Sequence, residues 1–390
     1  MSKKKALMVA SVASMVDLFN RDNINILEEL GCDVTVACNF SEGSVYTKEQ
    51  VNEFRKELCE KGYDVINIPV PRSITDIKGM IGTFIMLHKD MRKKGYDLIH
   101  CQAPFSGVLC RLAAIPFRKR GTKVLYYAHG FHFFRGAPFK YWLIYYNAEK
   151  ICANFTDCVL TLNREDYKRA SKFFNSRIEY VPGVGLDLDE IDSVKADKNK
   201  ICEELGIPAD KKIILTAGEL SERKNTKTAI RAFIHAERDD AVLVICGIGQ
   251  KEEELKQYVK DCGVEDRIIF AGFRNDIIEM FKASDIFLFT SKQEGLPVVV
   301  MQAMATGLPI LCSNIRGNKD LIRNGYGGYL YSPMDTLGYK DGIVALLDDE
   351  DKCKAMGMIN KRRVRKYSIA SVNNIMKKIY ISLIGEAYDE

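Results

Sequence analysis

The sequence predicts an α/β protein built as two Rossmann-like domains, and three observations carry the prediction. The chain has 390 residues, more than one core usually serves. Short apolar, β-branched runs alternate with longer amphipathic stretches from end to end. The alternation is broken once, at YVPGVGLDLDEID (180–192), where Pro182, Gly183 and Gly185 precede an acidic run. The expected domains are therefore residues 1–185 and 186–365, with 366–390 as a terminal segment.

The first set of strands reads ALMVASV (6–12), DVTVAC (33–38), DLIHC (97–101), KVLYYAH (123–129) and DCVLTL (157–162). The second reads KIILTAG (212–218), AVLVICG (241–247), RIIFAG (267–272), DIFLFT (285–290) and PILCS (309–313). Strands that are apolar on both faces belong to parallel sheets covered by helices on either side. Helices are expected between them, as at Thr47–Glu60 and Glu252–Asp261. Pro297 fits a first helical position and Gly307 a helix end, which gives a helix over about 297–306. At the C-terminus Ile369, Val372, Ile375, Met376, Ile379 and Leu383 recur at i+3 and i+4, predicting one amphipathic helix over Ser368–Ala387.

Composition narrows the function classes. Hydrophobic residues make up 47% and charged residues 28%, as in ordinary globular proteins. Twelve cysteines are present, but none in a Cys-x-x-Cys pair, and Cys38, Cys101, Cys158, Cys246 and Cys312 fall inside apolar runs. Reduced, buried thiols are expected, and zinc-type spacing is missing. MSKKKALMVASVASMV imitates a signal peptide, yet Asp17 and Arg21 follow at once, so Ala6–Val12 reads as a core strand. No run reaches the roughly 18 residues of a membrane span, and a cytoplasmic protein is expected. Net charge is +5, but Arg72–Lys140 holds 13 Lys/Arg against 3 Asp/Glu. That imbalance points to an anionic partner.

In parallel sheets ligands bind at the carboxyl ends of strands, so polar residues there are weighed first. His129 ends KVLYYAH beside Gly130 and suits a hydrogen bond to a substrate hydroxyl. His132 is its neighbour, His100 ends DLIHC, and His88 and His235 lie in helix-like stretches. In TAGELSERKN (216–225), Gly218 ends a strand and Arg223 and Lys224 precede a helix, an anion site suited to a diphosphate. CGIGQKEEEL (246–255) lacks the third glycine of a dinucleotide loop. FAGFRND (270–276) offers backbone around Phe273 and Arg274 to grip a flat base. In EGLPVVVMQAMATG (294–307), Glu294 stands before a helix mouth and can accept hydrogen bonds from two neighbouring hydroxyls. The N–H groups of Gly295 and Leu296 favour a sugar or phosphate oxygen there. Gln302 lies two turns on.

In this order the segments resemble family-4 retaining glycosyltransferases of the GT-B fold, over nearly the whole chain. SKQEGLPVVVMQAMATGLPI (291–310) resembles that family's Glu-x7-Glu element, and FAGFRNDIIEMFKASDIFLFTS (270–291) also fits. HCQAPFSGVLCRLAA (100–114) and YYAHGFHFFRGAP (126–138) resemble the branch that builds bacterial capsular and exopolysaccharides. The resemblance implies a metal-independent, cofactor-free transferase. It would move a sugar, expected from a UDP-sugar, to a lipid-linked oligosaccharide. It implies that Glu294 holds donor-sugar hydroxyls, while Gly295, Leu296 and Pro297 meet sugar and diphosphate. Lys224 would stabilise the departing nucleotide with Arg223 beside it, and His129 would lie near the reacting centre. Phe273 and Arg274 would flank the base, Gln302 would contact the ribose, and the last helix would cross back onto the N-terminal, acceptor-binding domain.

Two positions depart from the pattern. Glu219 stands where Arg usually follows the strand-ending Gly, and Gln302 replaces the second glutamate. Weaker nucleotide binding is expected. The pair Asp187 and Asp189 falls in the join, so no metal is required. The basic Arg72–Lys140 region, with Trp142, Tyr145 and Tyr146, is expected to meet the anionic inner face of the plasma membrane, and no nucleic acid is expected. The alternative is a non-catalytic GT-B subunit that stabilises a true transferase.

Overall fold

The structure is a computed structural model that describes residues 3–41, 46–71, 73 and 75–385. Arg72, and residues 386 and 387 of the expected last helix, lie outside the described residues. The chain divides into two compact units. One holds the residues up to Val184 together with those from Ala370 onward, and the other holds Gly185–Ile369.

The first unit carries β1 (Lys4–Val12), β2 (Cys32–Asn39), β3 (Asp64–Asn67), β4 (Leu98–Gln102), β5 (Lys123–Ala128), β6 (Cys158–Thr161) and β7 (Arg177–Tyr180). Their order is β3-β2-β1-β4-β5-β6-β7, and every neighbouring pair is parallel. The second unit carries β8 (Lys212–Ala217), β9 (Ala241–Cys246), β10 (Ile268–Gly272), β11 (Ile286–Phe289), β12 (Ile310–Ser313) and β13 (Gly328–Tyr331). Their order is β10-β9-β8-β11-β12-β13, again all parallel. Strand order reverses between β1 and β4 in one sheet and between β8 and β11 in the other. Those reversals are where α/β sheets open a crevice for ligands.

The two Rossmann-like sheets agree with the expected fold class. The ten predicted strands are present within one or two residues of their expected limits. The three that the sequence did not announce, β3, β7 and β13, are sheet edges with partly exposed residues. An edge strand needs no continuous apolar run, so its signal is weak. The helix after Glu294 runs Val298–Thr306, with Pro297 as N-cap rather than first helical residue. The terminal helix is Ile369–Ile384 and its residues from Ala370 belong to the first unit. It buries Val372, Met376, Ile379 and Tyr380, and Lys377 Nζ meets Glu29 Oε2 at 2.9 Å.

Trp142, Tyr145 and Tyr146, expected beside the basic face, are only partly exposed. They pack on the first unit's core, and Phe133 lies 5.7 Å from Trp142 between ring centres. The outward positions of that segment are Phe139, Leu143, Ile144 and Ile151. Among the described residues no helix is long and apolar enough to cross a membrane.

Candidate active site

In the second unit the chemistry gathers where strand order reverses. Gly218 follows β8 with φ +145°, a backbone conformation that favours glycine, and the Lys224 side chain passes within contact distance of it. The loop after it is fixed by Asn225, a buried residue in the left-handed region (φ 58°). Its Nδ2 donates to Thr290 O (2.9 Å) and Pro333 O (2.8 Å), while Thr290 Oγ1 donates to Asn225 O (2.9 Å). The Lys224 loop is thereby stitched to the end of β11.

Glu294 receives the result. Its Oε1 accepts from Lys224 Nζ (2.8 Å), Arg223 Nη1 (3.0 Å) and Ser291 Oγ (2.8 Å). Side-chain exposure is 10% for Glu294 and 15% for Lys224, so the carboxylate is held rather than waving in solvent. Its Oε2 takes no donor among the described residues. Lys224 also lies 5.0 Å from the Phe289 ring centre, which holds the ammonium in place. From β12 comes a further support: Arg316 Nε donates to Glu294 O at 3.1 Å. Gly317 (φ 77°) lets that loop approach, since a Cβ there would sit 2.4 Å from Gly295 O.

Beyond Glu294, Leu296 and Pro297 are buried and Gly295 is half-buried. The helix Val298–Thr306 begins without a side-chain cap, so the N–H groups of its first turn and its positive dipole end are available to an anion. Gln302 is half-buried, and its amide makes no hydrogen bond to the described residues. Glu219 is exposed, and its carboxylate is 3.9 Å from Arg223. Phe273 is 68% exposed beside Gly272, whereas Arg274 is tied down by Asp276 (Nε–Oδ1 2.7 Å) and Glu204. The structure thus brings Gly218, Arg223, Lys224, Glu294, Gly295 and the helix mouth together. Phe273 and Arg274 stand at the end of β10.

In the first unit His129 follows β5. Its half-buried ring lies 4.8 Å from Tyr127, and Nε2 is 2.7 Å from Gln102 Oε1 at the end of β4. Burial pulls its pKa down to about 4, so it is neutral near pH 7. It lines a cavity of about 190 Å³ with Ala103, Gly130, His132, Tyr145 and Glu149. His132 stacks on Tyr145 at 4.5 Å. Glu149, at the cavity wall, is held by Arg111 Nη2 (2.8 Å) and the Tyr126 hydroxyl (2.8 Å). His100 is wholly buried; its Nδ1 meets the Tyr380 hydroxyl at 2.8 Å, a structural tie to the last helix. His88 packs near Phe117 (5.1 Å), and His235 is an exposed helix-end residue. Asp187 Oδ1 accepts from Glu190 N (2.8 Å), so it is a helix cap. Among the described residues no three His, Cys, Asp or Glu are grouped to hold a metal ion.

Sequence reasoning missed Asn225, Ser291, Arg316 and Gln102. Arg316-Gly317 was within reach, because it follows the end of β12 as Gly218 follows β8. Gln102 and Asn225 act through partners far along the chain, which strand-end reading does not pair.

Comparison with known proteins adds three findings. Residues 197–363 match the family model "Glycosyl transferases group 1" and residues 21–189 match "Glycosyltransferase Family 4". The EpsD protein of Bacillus subtilis (strain 168), which carries a provisional glycosyltransferase name, is 31% identical over 97% of this chain and 96% of its own. An Escherichia coli enzyme named UDP-Gal:alpha-D-GlcNAc-diphosphoundecaprenol alpha-1,3-galactosyltransferase is 30% identical over 80% of this chain and 82% of its own. Among solved structures, HepE of Anabaena in complex with UDP superposes with a TM-score of 0.77 at 18% identity, over 97% of this chain and all of that one. WaaG, a glycosyltransferase of lipopolysaccharide biosynthesis, superposes at 0.69 and 17% identity, over 96% and 99%.

Proposed function

The chain belongs to the family-4 glycosyltransferases of GT-B fold, and from that premise we propose that it is a retaining, metal-independent hexosyltransferase of cell-surface polysaccharide synthesis. In this reading it moves a sugar from a UDP-sugar to a hydroxyl of a lipid-linked oligosaccharide. The observation that carries it is the Glu294 carboxylate, gripped on Oε1 by Lys224, Arg223 and Ser291 at the uncapped mouth of Val298–Thr306.

That arrangement gives each group a task. Glu294 Oε2 accepts from donor-sugar hydroxyls. The first-turn N–H groups and Lys224 take the diphosphate and stabilise the charge that grows on it as the glycosidic bond breaks. Arg223 supplies the second cation that Glu219 does not. The exposed Phe273 ring and the Arg274 backbone flank the base, and the Gln302 amide meets the ribose. His129, neutral and hydrogen-bonded to Gln102, accepts from a sugar hydroxyl near the reacting carbon. Front-face departure of the nucleotide, with the leaving phosphate taking the acceptor proton, accounts for retention without a protein nucleophile.

The E. coli relative named for a diphosphoundecaprenol substrate supports the lipid-linked acceptor, and HepE with UDP-glucose supports the donor class. A peripheral contact with the anionic cytoplasmic face of the membrane follows from such an acceptor. In the first unit, the helix Ile77–Lys94 exposes Ile77, Ile81 and Ile85 on one stripe with Lys78, Lys89, Arg92 and Lys93 on the same helix. Phe139, Leu143 and Ile144, next to Lys140, form a second exposed apolar set.

The test is transfer by purified protein from a panel of UDP- and GDP-sugars to a lipid-linked acceptor. Glu294→Ala is expected to lower kcat by about 100-fold or more. Full activity in that variant refutes the site. The half-buried Gln302 amide and exposed Glu219 favour a second reading, a non-catalytic GT-B subunit; calorimetry that finds no nucleotide bound by the wild type selects it.

A further inference from the structure

We infer that Gln102 is a positioning residue for His129, holding its imidazole in one neutral tautomer with the proton on Nε2 and the Nδ1 lone pair free for a sugar hydroxyl. The inference rests on the proposed role of His129.

Gln102 is fully buried at the last position of β4, directly paired with Tyr127 of β5. Its amide has two neighbours. The oxygen is 2.7 Å from His129 Nε2, and the nitrogen is 3.9 Å from the Met8 sulfur in β1. A thioether accepts weakly and donates nothing. The amide is therefore set with its NH2 on the sulfur and its carbonyl on the histidine. The reverse orientation would face oxygen lone pairs against sulfur lone pairs and leave the NH2 to the ring. Met8 thus decides which way the amide points, and the amide decides which ring nitrogen is protonated.

A carbonyl oxygen can only accept, so His129 Nε2 must donate. A neutral imidazole that donates from Nε2 accepts at Nδ1. No donor among the described residues reaches Nδ1. The ring packs against Tyr127 at 4.8 Å between centres and lines the cavity that also holds Glu149 and His132. The nitrogen left over is an acceptor, which fits a hydroxyl and does not fit a phosphate oxygen. The consequence is a selective one: this ring nitrogen serves hydroxyls and not phosphates.

The experiment is long-range proton–nitrogen NMR on protein labelled at histidine, at pH 7, with His129→Ala to assign the signal. Wild type is expected to show His129 neutral with the proton on Nε2. A wild-type proton on Nδ1 overturns the inference, whatever the variants do. Gln102→Leu is expected to give a mixture of tautomers, and Gln102→Glu, which keeps an acceptor there, to restore the Nε2–H form. In the transfer assay Gln102→Leu is expected to lower kcat by about 100-fold with the donor KM little changed. Gln102→Glu is expected to recover activity at pH values above the raised pKa of the imidazole beside the new carboxylate, where Nδ1 again carries a lone pair. Should Gln102→Leu not fold, the wild-type spectrum and Gln102→Glu still decide. If His129→Ala retains full activity the functional reading of His129 fails; if it is inactive while Gln102→Leu leaves the tautomer unchanged, the positioning role alone fails.

Discussion

At the scale of single residues, the buried histidines make acid sensitivity predictable. His100 has no exposed surface, its Nε2 has no partner among the described residues, and burial, aided by His129, lowers its pKa to about 3. The unfolded chain takes up a proton there near the ordinary value of about 6.5, and the folded chain does not. Stability is full above about pH 6.5 and falls as pH drops toward 3, with His129 adding in the same sense. At pH 5 the loss from His100 is roughly 2 kcal/mol. Urea midpoints at pH 7 and pH 5 measure it, and His100→Asn is expected to flatten the slope. A slope unchanged in that variant would show that other groups set the acid response. The residue scale also shows what a sequence conveys about a site. Glu294, Lys224 and His129 were legible because each follows a strand beside a glycine or a helix start. Gln102 was not, because its meaning depends on the register of β4 against β5 and on a methionine 94 residues away in sequence. Arg223 was read as half of a cation pair for the diphosphate; the structure adds that it and Lys224 share one oxygen of Glu294.

At the scale of elements, the second unit depends on how closely strand ends pack. Gly247 follows β9 with φ +141°, and a Cβ there would lie 2.0 Å from Gly218 O. The two loops are also joined by Gly218 N donating to Cys246 O at 2.9 Å. Gly247→Ala must therefore push the Gly218 strand end aside, and Lys224 with it. Destabilisation of about 2 kcal/mol or more is expected, with weaker UDP binding. Thermal melts and calorimetric UDP titration measure the two effects, and an alanine variant with wild-type values for both would show that the loop is not wedged there. Elements were the most legible level of the fold. Central strands announce themselves because both faces are buried, so β8 and β9 read as unbroken apolar runs. The edges β3, β7 and β13 do not, since one side of each meets no neighbouring strand and partly exposed residues suffice.

At the scale of the whole molecule, charge and exposed apolar surface are the readable quantities. If the Ile77–Lys94 stripe and the Phe139–Ile144 segment meet a bilayer, the protein floats with vesicles containing anionic lipid at low salt and is released at high salt. Ile81→Asp with Ile85→Asp is expected to reduce that retention several-fold without altering nucleotide affinity. Retention that is indifferent to lipid charge would sink the proposal. The sequence located the excess of positive charge but not the apolar residues beside it, because Trp142, Tyr145 and Tyr146 look equally surface-seeking until packing claims them. One feature of connectivity bears on how the protein comes to exist. Tyr380 covers His100 from a helix that is translated after the entire second unit. On a ribosome the first seven strands emerge early, yet that face of their sheet waits for its cover while about 185 residues more are made. At usual elongation rates the wait is roughly ten to forty seconds. The first unit is thus completed only after the second has been made, when the helix Ile369–Ile384 closes over His100.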